Sequence, residues 1–555
     1  MLWALALALL MLGPALGHGY VLSYDMVWVP DLALRSDFLG VGSQLPRAVP
    51  SDALVSVVDE LVPGMLLQKL VLVAVLAGGG AGAALLAPVD SLVGRLVAVT
   101  VYQWNPFTAE RLVMGHWPVL LGYAVLPWVV VAAQEVRRRQ RVPLRLWWLV
   151  PLGSLSAGAG LVTAAALLAF GWRRGSARRN AALVAMVLAG NAPWVVSGLL
   201  HHGAAVTDAA GAGFFSLQGA GPLPAPVAAL GLGGIWNVEV LLPSRHGALA
   251  VVSLVVLLLL CAVGVRAWAA ALPRRDVVAF VGCWAVGWGT AVLTWALPDA
   301  MAWSVAHVPG AGLLRDGSRM LALCAPLLAA LAGYGAATVT RRVAAPAPRA
   351  SLGLALVLAP VAAMPDAAFG ESGRLQPVDY PSSYLEAADL VRDRYAGGQQ
   401  GDVLVLPLSS YRAPAWNGDR KVLDPMGRLL PADYVASDQL SVSGRLLAGE
   451  DPRVREVADA LAGPTPAARS RALAGAGIGL VVEERDAGGT LPELQGRQDR
   501  VGDAVTVVQL DDPRGRHTPV TWWIAMGTAW TAYLATWAWA FLRGATKLPR
   551  TFGRY

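Results

Sequence analysis

Cysteine is nearly missing from this chain of 555 residues: three occur, Cys261, Cys283 and Cys324. Each falls inside an apolar run, where a thiol behaves as a small buried hydrophobe, so neither a disulfide framework nor a cysteine-based metal site is expected. Charge is scarce as well. Only 15% of the residues are Asp, Glu, Lys or Arg, against about 25% in soluble domains. With 56% hydrophobic residues and a mean hydropathy of +0.52, a row of soluble domains is excluded. The chain also shows no internal repeat, and the ionisable residues nearest its apolar runs, Lys69, Asp90 and Arg95, lie close to their ends. Both absences argue against a transporter, which needs repeats and charges at mid-membrane.

What is present is the sequence of a polytopic α-helical membrane protein. Pro 37, Gly 60 and Trp 21 suit spanning helices, which tolerate Gly and Pro, and tryptophan belts at the interfaces. The net charge of +7 would suit nucleic acid only if the basic residues shared a folded face. They gather instead in short clusters beside apolar runs: Arg137, Arg138, Arg139 and Arg141; Arg173, Arg174, Arg178 and Arg179; Arg274 and Arg275; Arg341 and Arg342. That is the positive-inside pattern of cytoplasmic loops, so the basic excess reports topology and no nucleic-acid partner is expected.

The leading segment LWALALALLMLGPALG reads as a retained first helix, because apolar character continues through Tyr20–Val29 without a clean cleavage site. Further spans are expected at about 65–87, 92–104, 116–134, 180–202, 247–272, 276–297, 318–340, 350–364 and 519–542. A single crossing by Arg145–Phe170 would put two four-arginine clusters on opposite sides; a turn back near GSLSAGAG (153–160) keeps both cytoplasmic. The expected layout is a transmembrane domain over 1–364 and an extracytoplasmic α/β domain over 365–518, then a final helix and cytoplasmic tail over 519–555. It has about twelve membrane segments, with both termini cytoplasmic. In 365–518, GDVLVLPL, GIGLVVEE and AVTVVQL read as buried strands, and SYLEAADLVRDRY and PRVREVADALAG as helices. That region has no nucleotide-binding glycine fingerprint and no G-x-S-x-G elbow.

Polar groups beside a bilayer are costly unless they serve something, and three outer loops carry such groups. The first, GYVLSYDMVWVPDLALRSDFLG, holds Asp25 and Asp31 among aromatics. A carboxylate there suits a general base, with partial desolvation expected to raise its pKa. The second, YQWNPFTAERLVMGHWPVLLGY (102–123), holds Trp104, Asn105, Phe107, Glu110, Arg111, His116 and Trp117. Pro106 starts a short helix, the rings offer faces on which a sugar can stack, and Arg111, with Glu110 and His116, suits a phosphate. The third, HVPGAGLLRDGSRM (307–320), places Arg315, Asp316 and Arg319 before a span on its outer side, against the charge rule. Each has a plainer reading: hydrated or capping aspartates, an interfacial Glu–Arg pair in an aromatic belt, or a capping Asp316 with Arg319 reaching for headgroups. His201–His202, the group Glu239, Arg245 and His246, and the polar stretch SSYRAPAWNGDRKVLDPMGR (409–428) rank below these.

The acidic first loop, the aromatic and charged second loop, the many spans and the C-terminal outer domain together resemble the GT-C class of glycosyltransferases. The likeness is nearest to actinobacterial multi-pass enzymes that build cell-envelope glycans. It covers roughly the first 345 residues. It implies a polyprenyl-phosphate sugar donor, an envelope glycan or glycolipid acceptor, inversion at the anomeric carbon, Asp25 as base with Asp31 second, and donor phosphate on Arg111, Arg315 and Arg319. No cofactor is implied with certainty, and the need for a divalent metal stays open. The two aspartates stand six positions apart, unlike the adjacent or near-adjacent acidic residues of many members. The competing readings are a non-catalytic scaffold or accessory subunit of envelope biogenesis and a lipid-linked glycan transporter.

Overall fold

The computed structural model describes residues 1–88, 90–202, 210–308, 310–442, 444–488 and 491–545. The expected cytoplasmic tail from 546 onward and the start of the expected outer loop at 203–209 lie outside the described residues. Among those described, seven segments are long and apolar enough to cross a membrane: Gly64–Leu86, Trp117–Arg139, Ala177–His201, Ala248–Ala271, Arg274–Ala296, Gly317–Arg341 and Pro346–Ala363.

The bundle opens with α1 (Leu2–Leu12), α2 (Gly64–Ala83) and α3 (Leu92–Gln103). It continues through the short α4 (Pro106–Val113), the long α5 (Trp117–Arg139), α6 (Leu144–Leu152), α7 (Ala157–Gly171) and α8 (Ala177–His201). Then come α9 (Ala248–Ala271), α10 (Arg274–Ala296), α11 (Ala325–Arg341) and α12 (Pro346–Ala363). The segments Trp117–Arg139 and Gly317–Arg341, 78% and 89% buried, form its centre, whereas Pro346–Ala363 is 11% buried and turns its apolar side chains outward. Small residues let the central helices touch. A Cβ on Gly335 would stand 2.0 Å from the carbonyl oxygen of Leu260, and one on Gly333 would stand 2.7 Å from that of Gly94, so α9 and α3 meet α11 backbone to backbone.

The segment with two possible paths is broken in two. Pro151 closes α6, and Ser156 caps α7 by accepting from the amide of Ala159. Thr163 Oγ1 donates across the turn to the carbonyl of Gly153 at 2.8 Å. The break brings the arginine clusters together: Arg137 donates to the carbonyl of Phe170 at 2.9 Å, Arg173 to that of Arg137 at 3.5 Å, and Asp276 receives Arg137 and Arg138. All of these lie at one end of the bundle. The N-terminus of α5 is at the other, about 34 Å away at 1.5 Å per residue.

That other end carries the C-terminal sheet. Strands β1 (Asp402–Leu406), β2 (Tyr434–Val435), β3 (Ile478–Glu484), β4 (Arg497–Val501) and β5 (Val505–Gln509) stand in the order β4-β5-β3-β1-β2, with β1 parallel to β2 and β3 and the other pairs antiparallel. Helices α13 (Ser382–Ala396), α14 (Pro452–Leu461) and α15 (Pro466–Gly475) accompany it. α16 (Val520–Ala545) returns to pack on α8 and α6.

The loop after α1 is woven into this region. Tyr20–Val21 pairs with Pro377–Val378. Tyr24 exchanges backbone bonds with the strand Val422–Leu423, its N–H to the Lys421 carbonyl and its carbonyl from the Leu423 N–H, both at 2.8 Å. Arg35 donates to the carbonyls of Gly427, Leu430 and Ala432 at 2.7, 3.0 and 3.2 Å.

A candidate active site at the sheet-bearing end

The second loop folds for local reasons. Asn105 caps α4 by accepting from the Thr108 amide at 3.1 Å, and Pro106 occupies the first helical position, where its missing N–H costs nothing. After α4 the chain turns at Gly115, with φ +79°. A Cβ there would lie 2.1 Å from the amide nitrogen of Met26, so only glycine lets the first loop run against this turn. The two loops are then stitched: Asp25 N–H donates to the Met114 carbonyl at 3.0 Å, and Ser23 Oγ to that of Val113 at 2.6 Å. Tyr24, beside Asp25, is held in the left-handed region at φ +46°, a conformation that costs about 1–2 kcal/mol; its paired bonds to Lys421 and Leu423 sustain it.

This places Asp25 next to His116 and begins a chain of contacts. Asp25 Oδ2 lies 3.0 Å from His116 Nε2, and His116 Nδ1 lies 3.0 Å from Arg111 Nη1. A guanidinium only donates, so Nδ1 accepts, the ring is neutral, and Nε2–H is the donor to Asp25. Arg111, 1% exposed, then meets Asp316 at 3.2 and 3.4 Å and also bonds Ser318. Ser318 donates to Asp316 Oδ1 at 2.5 Å, and Arg319 Nε donates to Asp316 Oδ2 at 2.8 Å. The stem of Arg319 lies on Gly158 of α7, where a Cβ would be 3.1 Å from its Cδ. The second oxygen of Asp25 accepts from Tyr411 Oη at 2.5 Å.

Two members of the set are open: the Asp25 side chain is 39% exposed and that of Arg319 is 34% exposed. A hollow of about 260 Å³ lined by Pro88, Asp90, Tyr334 and Arg341 lies at the opposite end and does not touch them.

The electrostatics differ from the expectation at Asp25. Burial does push its carboxyl upward, but the hydrogen bonds from His116 and Tyr411 and the charge of Arg319 outweigh it, so its pKa is lowered. The imidazole of His116 is held below its ordinary range by burial, with Arg111 and Arg319 adding to the effect. Asp316 is also buried, yet Arg111 and Arg319 keep it ionised well below the usual carboxylate range. The result is a charged carboxylate facing outward, backed by a neutral imidazole and a buried arginine–aspartate pair.

Other expected residues stand elsewhere, for simple reasons. Asp31 is 63% exposed and lies 3.6 Å from Arg392 of α13. Arg315 pairs with Glu450 and sits over the ring of Phe215, so its charge is already taken. Trp104, Phe107 and Trp117 are buried; Trp104 donates to the Met364 carbonyl, Phe107 stacks on Tyr123 and Trp117 packs at a tilt against Trp28, so none of the three offers an open ring face to a sugar. Asn105 spends its amide on the carbonyls of Val101 and Tyr102 and on Tyr123.

Glu110 neighbours Arg111 in sequence, which on a helix means a different face, and it turns towards the backbone at Gly233. Burial pushes its pKa from 4.5 up to about 8. The native state therefore holds a proton that the unfolded chain has lost, and stability falls as pH rises between those two values. Glu110→Gln is expected to abolish that slope, as read by thermal unfolding of detergent-solubilised protein at pH 5 to 8.

Two contributors went unforeseen. Ser318 lies in the third outer loop, where a lone hydroxyl among charged residues carries no signal. Tyr411 belongs to the polar stretch 409–428, with nothing in its spacing to connect it to Asp25. Among the described residues no group of three or more His, Cys, Asp or Glu is placed to hold a metal ion. Asp25 and His116 bond each other beside two arginines, a setting that does not fit a divalent cation.

No family model matches the chain, and no curated protein matches it. Among solved structures, the cryo-EM structure of the arabinofuranosyltransferase AftD from mycobacteria is similar, with TM-score 0.53 and 15% sequence identity over 93% of this chain and 40% of that one. A mutant form of AftD gives TM-score 0.51 at 15% identity, over 93% of this chain and 41% of that one. The chain thus spans about two fifths of the length of AftD, and the likeness is one of fold. With the apolar helices, it agrees with the GT-C-like membrane architecture expected from the sequence.

Proposed function

We propose that this chain is an inverting membrane glycosyltransferase that moves a sugar from a polyprenyl-phosphate donor to an envelope glycan or glycolipid. One observation carries the reading: an open, ionised Asp25 stands beside a half-open Arg319 at one end of a membrane bundle, in a fold shared with an arabinofuranosyltransferase. In this mechanism the acceptor hydroxyl attacks the anomeric carbon and forms the new C–O bond. The bond from that carbon to the phosphate oxygen breaks, its electron pair leaves with the lipid phosphate, and the hydroxyl proton passes to Asp25. The transition state of glycosyl transfer is oxocarbenium-like, so the attacking hydroxyl is already acidified when its proton moves, and a carboxylate of low pKa serves as base.

Arg319 takes the donor phosphate; Arg111, buried on Asp316 and His116, builds the site without touching substrate. Asp25 is the base, because Asp31 stands exposed against Arg392. In this reading the end with the arginine clusters is cytoplasmic by the positive-inside rule, the sheet-bearing end and the domain 365–518 are extracytoplasmic, both termini are inside, and there are about twelve membrane segments. The fold neighbour favours a pentofuranosyl donor.

The test is transfer by the full chain in phospholipid vesicles, offered radiolabelled synthetic polyprenyl-phosphate arabinofuranose and, separately, a polyprenyl-phosphate hexose, with membrane glycolipid extract as acceptor. Labelled product of inverted anomeric configuration is expected. No product from either donor overturns the reading and leaves the scaffold in its place.

A further inference from the structure

Tyr411 and Arg412 form a two-residue strand paired antiparallel with Val422–Leu423. Successive side chains of a strand point to opposite faces. Tyr411 reaches Asp25, whereas Arg412 turns into the interior of the C-terminal region. There Nη2 lies 2.6 Å from Asp424 and Nη1 2.5 Å from Glu484, both buried. Glu484, at the end of β3, accepts from Tyr384 Oη at 2.5 Å, and that hydroxyl also lies 3.2 Å from Asp486. One guanidinium thus ties the strand to the central sheet and, through Tyr384, to α13. Burial and the neighbouring Asp424 push the Glu484 carboxyl well above its ordinary range, and burial raises Asp424 as well, against the lowering charge of Arg412.

The same strand pair fixes the other side of the contact. Val422–Leu423 bonds Tyr411–Arg412 along one edge and the backbone of Tyr24 along the other, so Asp25 and Tyr411 are set on a common frame. Within it, Tyr411 packs edge-on to Tyr24 with ring centroids 5.6 Å apart. His116 bonds one oxygen of Asp25 and Tyr411 the other, which fixes the plane of the carboxylate and leaves lone pairs on both oxygens for an incoming hydroxyl.

We propose that Tyr411 is a positioning residue for Asp25, aimed by the buried Arg412 anchor, so that the C-terminal region completes the active site. The inference rests on Asp25 being the base. Its test has one readout that needs no substrate. In the full chain in nanodiscs, a water-soluble carbodiimide modifies protonated carboxyls, and mass spectrometry follows Asp25 against pH, with exposed Asp31 as internal reference. Asp25 accepts from His116 and Tyr411 and feels the charge of Arg319; removing one donor bond raises its midpoint.

Tyr411→Phe is expected to raise that midpoint by about one unit. Arg412→Gln, which releases the anchor, is expected to move it in the same direction, and Arg412→Lys to restore part of the shift. Transfer by Tyr411→Phe, with arabinofuranose donor, is expected to fall about tenfold in kcat at the acid edge of the profile and to recover towards neutral pH, with KM unchanged. A midpoint and pH profile that coincide with those of the parent overturn the inference. Should Tyr411→Phe fail to fold, 3-fluorotyrosine at 411 keeps the ring and strengthens the donor; the midpoint must then move down, and no movement overturns the inference. If Asp25→Asn transfers normally while the labelling shift is seen in the Tyr411 variant, the assignment of Asp25 as base fails and the contact between Tyr411 and Asp25 stands.

Discussion

Asp25→Asn is expected to lower transfer by about 10²–10⁴-fold, the usual contribution of a positioned base. The substitution is nearly isosteric. Its amide oxygen still accepts from His116 or Tyr411, so the fold and the seating of the first loop should persist, and size-exclusion and melting behaviour should match the parent. The loss should appear in kcat, because the proton moves only as the anomeric bond breaks. A variant with parental kcat would end the assignment of Asp25 as base. A variant with parental KM but little turnover would confirm that Asp25 acts on the transition state and not on donor binding.

The second large effect concerns stability. Arg111→Gln is expected to cost about 3–5 kcal/mol, the penalty for leaving one member of a buried ion pair uncompensated. Asp316 would keep only Arg319 and Ser318, and the acceptor nitrogen of His116 would lose its charged donor. Thermal unfolding of Arg111→Gln, Asp316→Asn and the double variant checks this. In the double variant both charges are gone, so its loss should be well below the sum of the singles. Strict additivity would mean that the pair contributes nothing to holding the site.

The helices were readable because a bilayer forces every backbone polar group to be satisfied within its own segment, which leaves long apolar runs as an unambiguous mark. The break between α6 and α7 followed from charge bookkeeping, since one crossing would have separated two arginine clusters that the structure brings together. The strands β1, β3 and β5 announced themselves as β-branched runs between turn residues.

The site was readable in part. Asp25, Arg111, His116, Asp316 and Arg319 stood out as ionisable groups where membrane loops need none. Their directions did not. Glu110 and Arg111 are adjacent, and only the helix phase sends one to the Gly233 backbone and the other to Asp316. Arg315 and Arg319 looked equivalent until Glu450 claimed the first. The sign of the Asp25 shift depended on two donors, one of them hidden in the C-terminal region. Aromatic residues near a membrane surface serve packing as readily as sugar binding, and composition does not distinguish the two.

The bond between Tyr411 and Asp25 joins positions 386 apart in the chain. The carboxylate is therefore synthesised long before its tether emerges from the ribosome. A polypeptide halted before that strand pair has Asp25 held by His116 alone, with one oxygen untethered. The setting of this carboxylate thus matures only after residues far along the chain have been made and have folded against it.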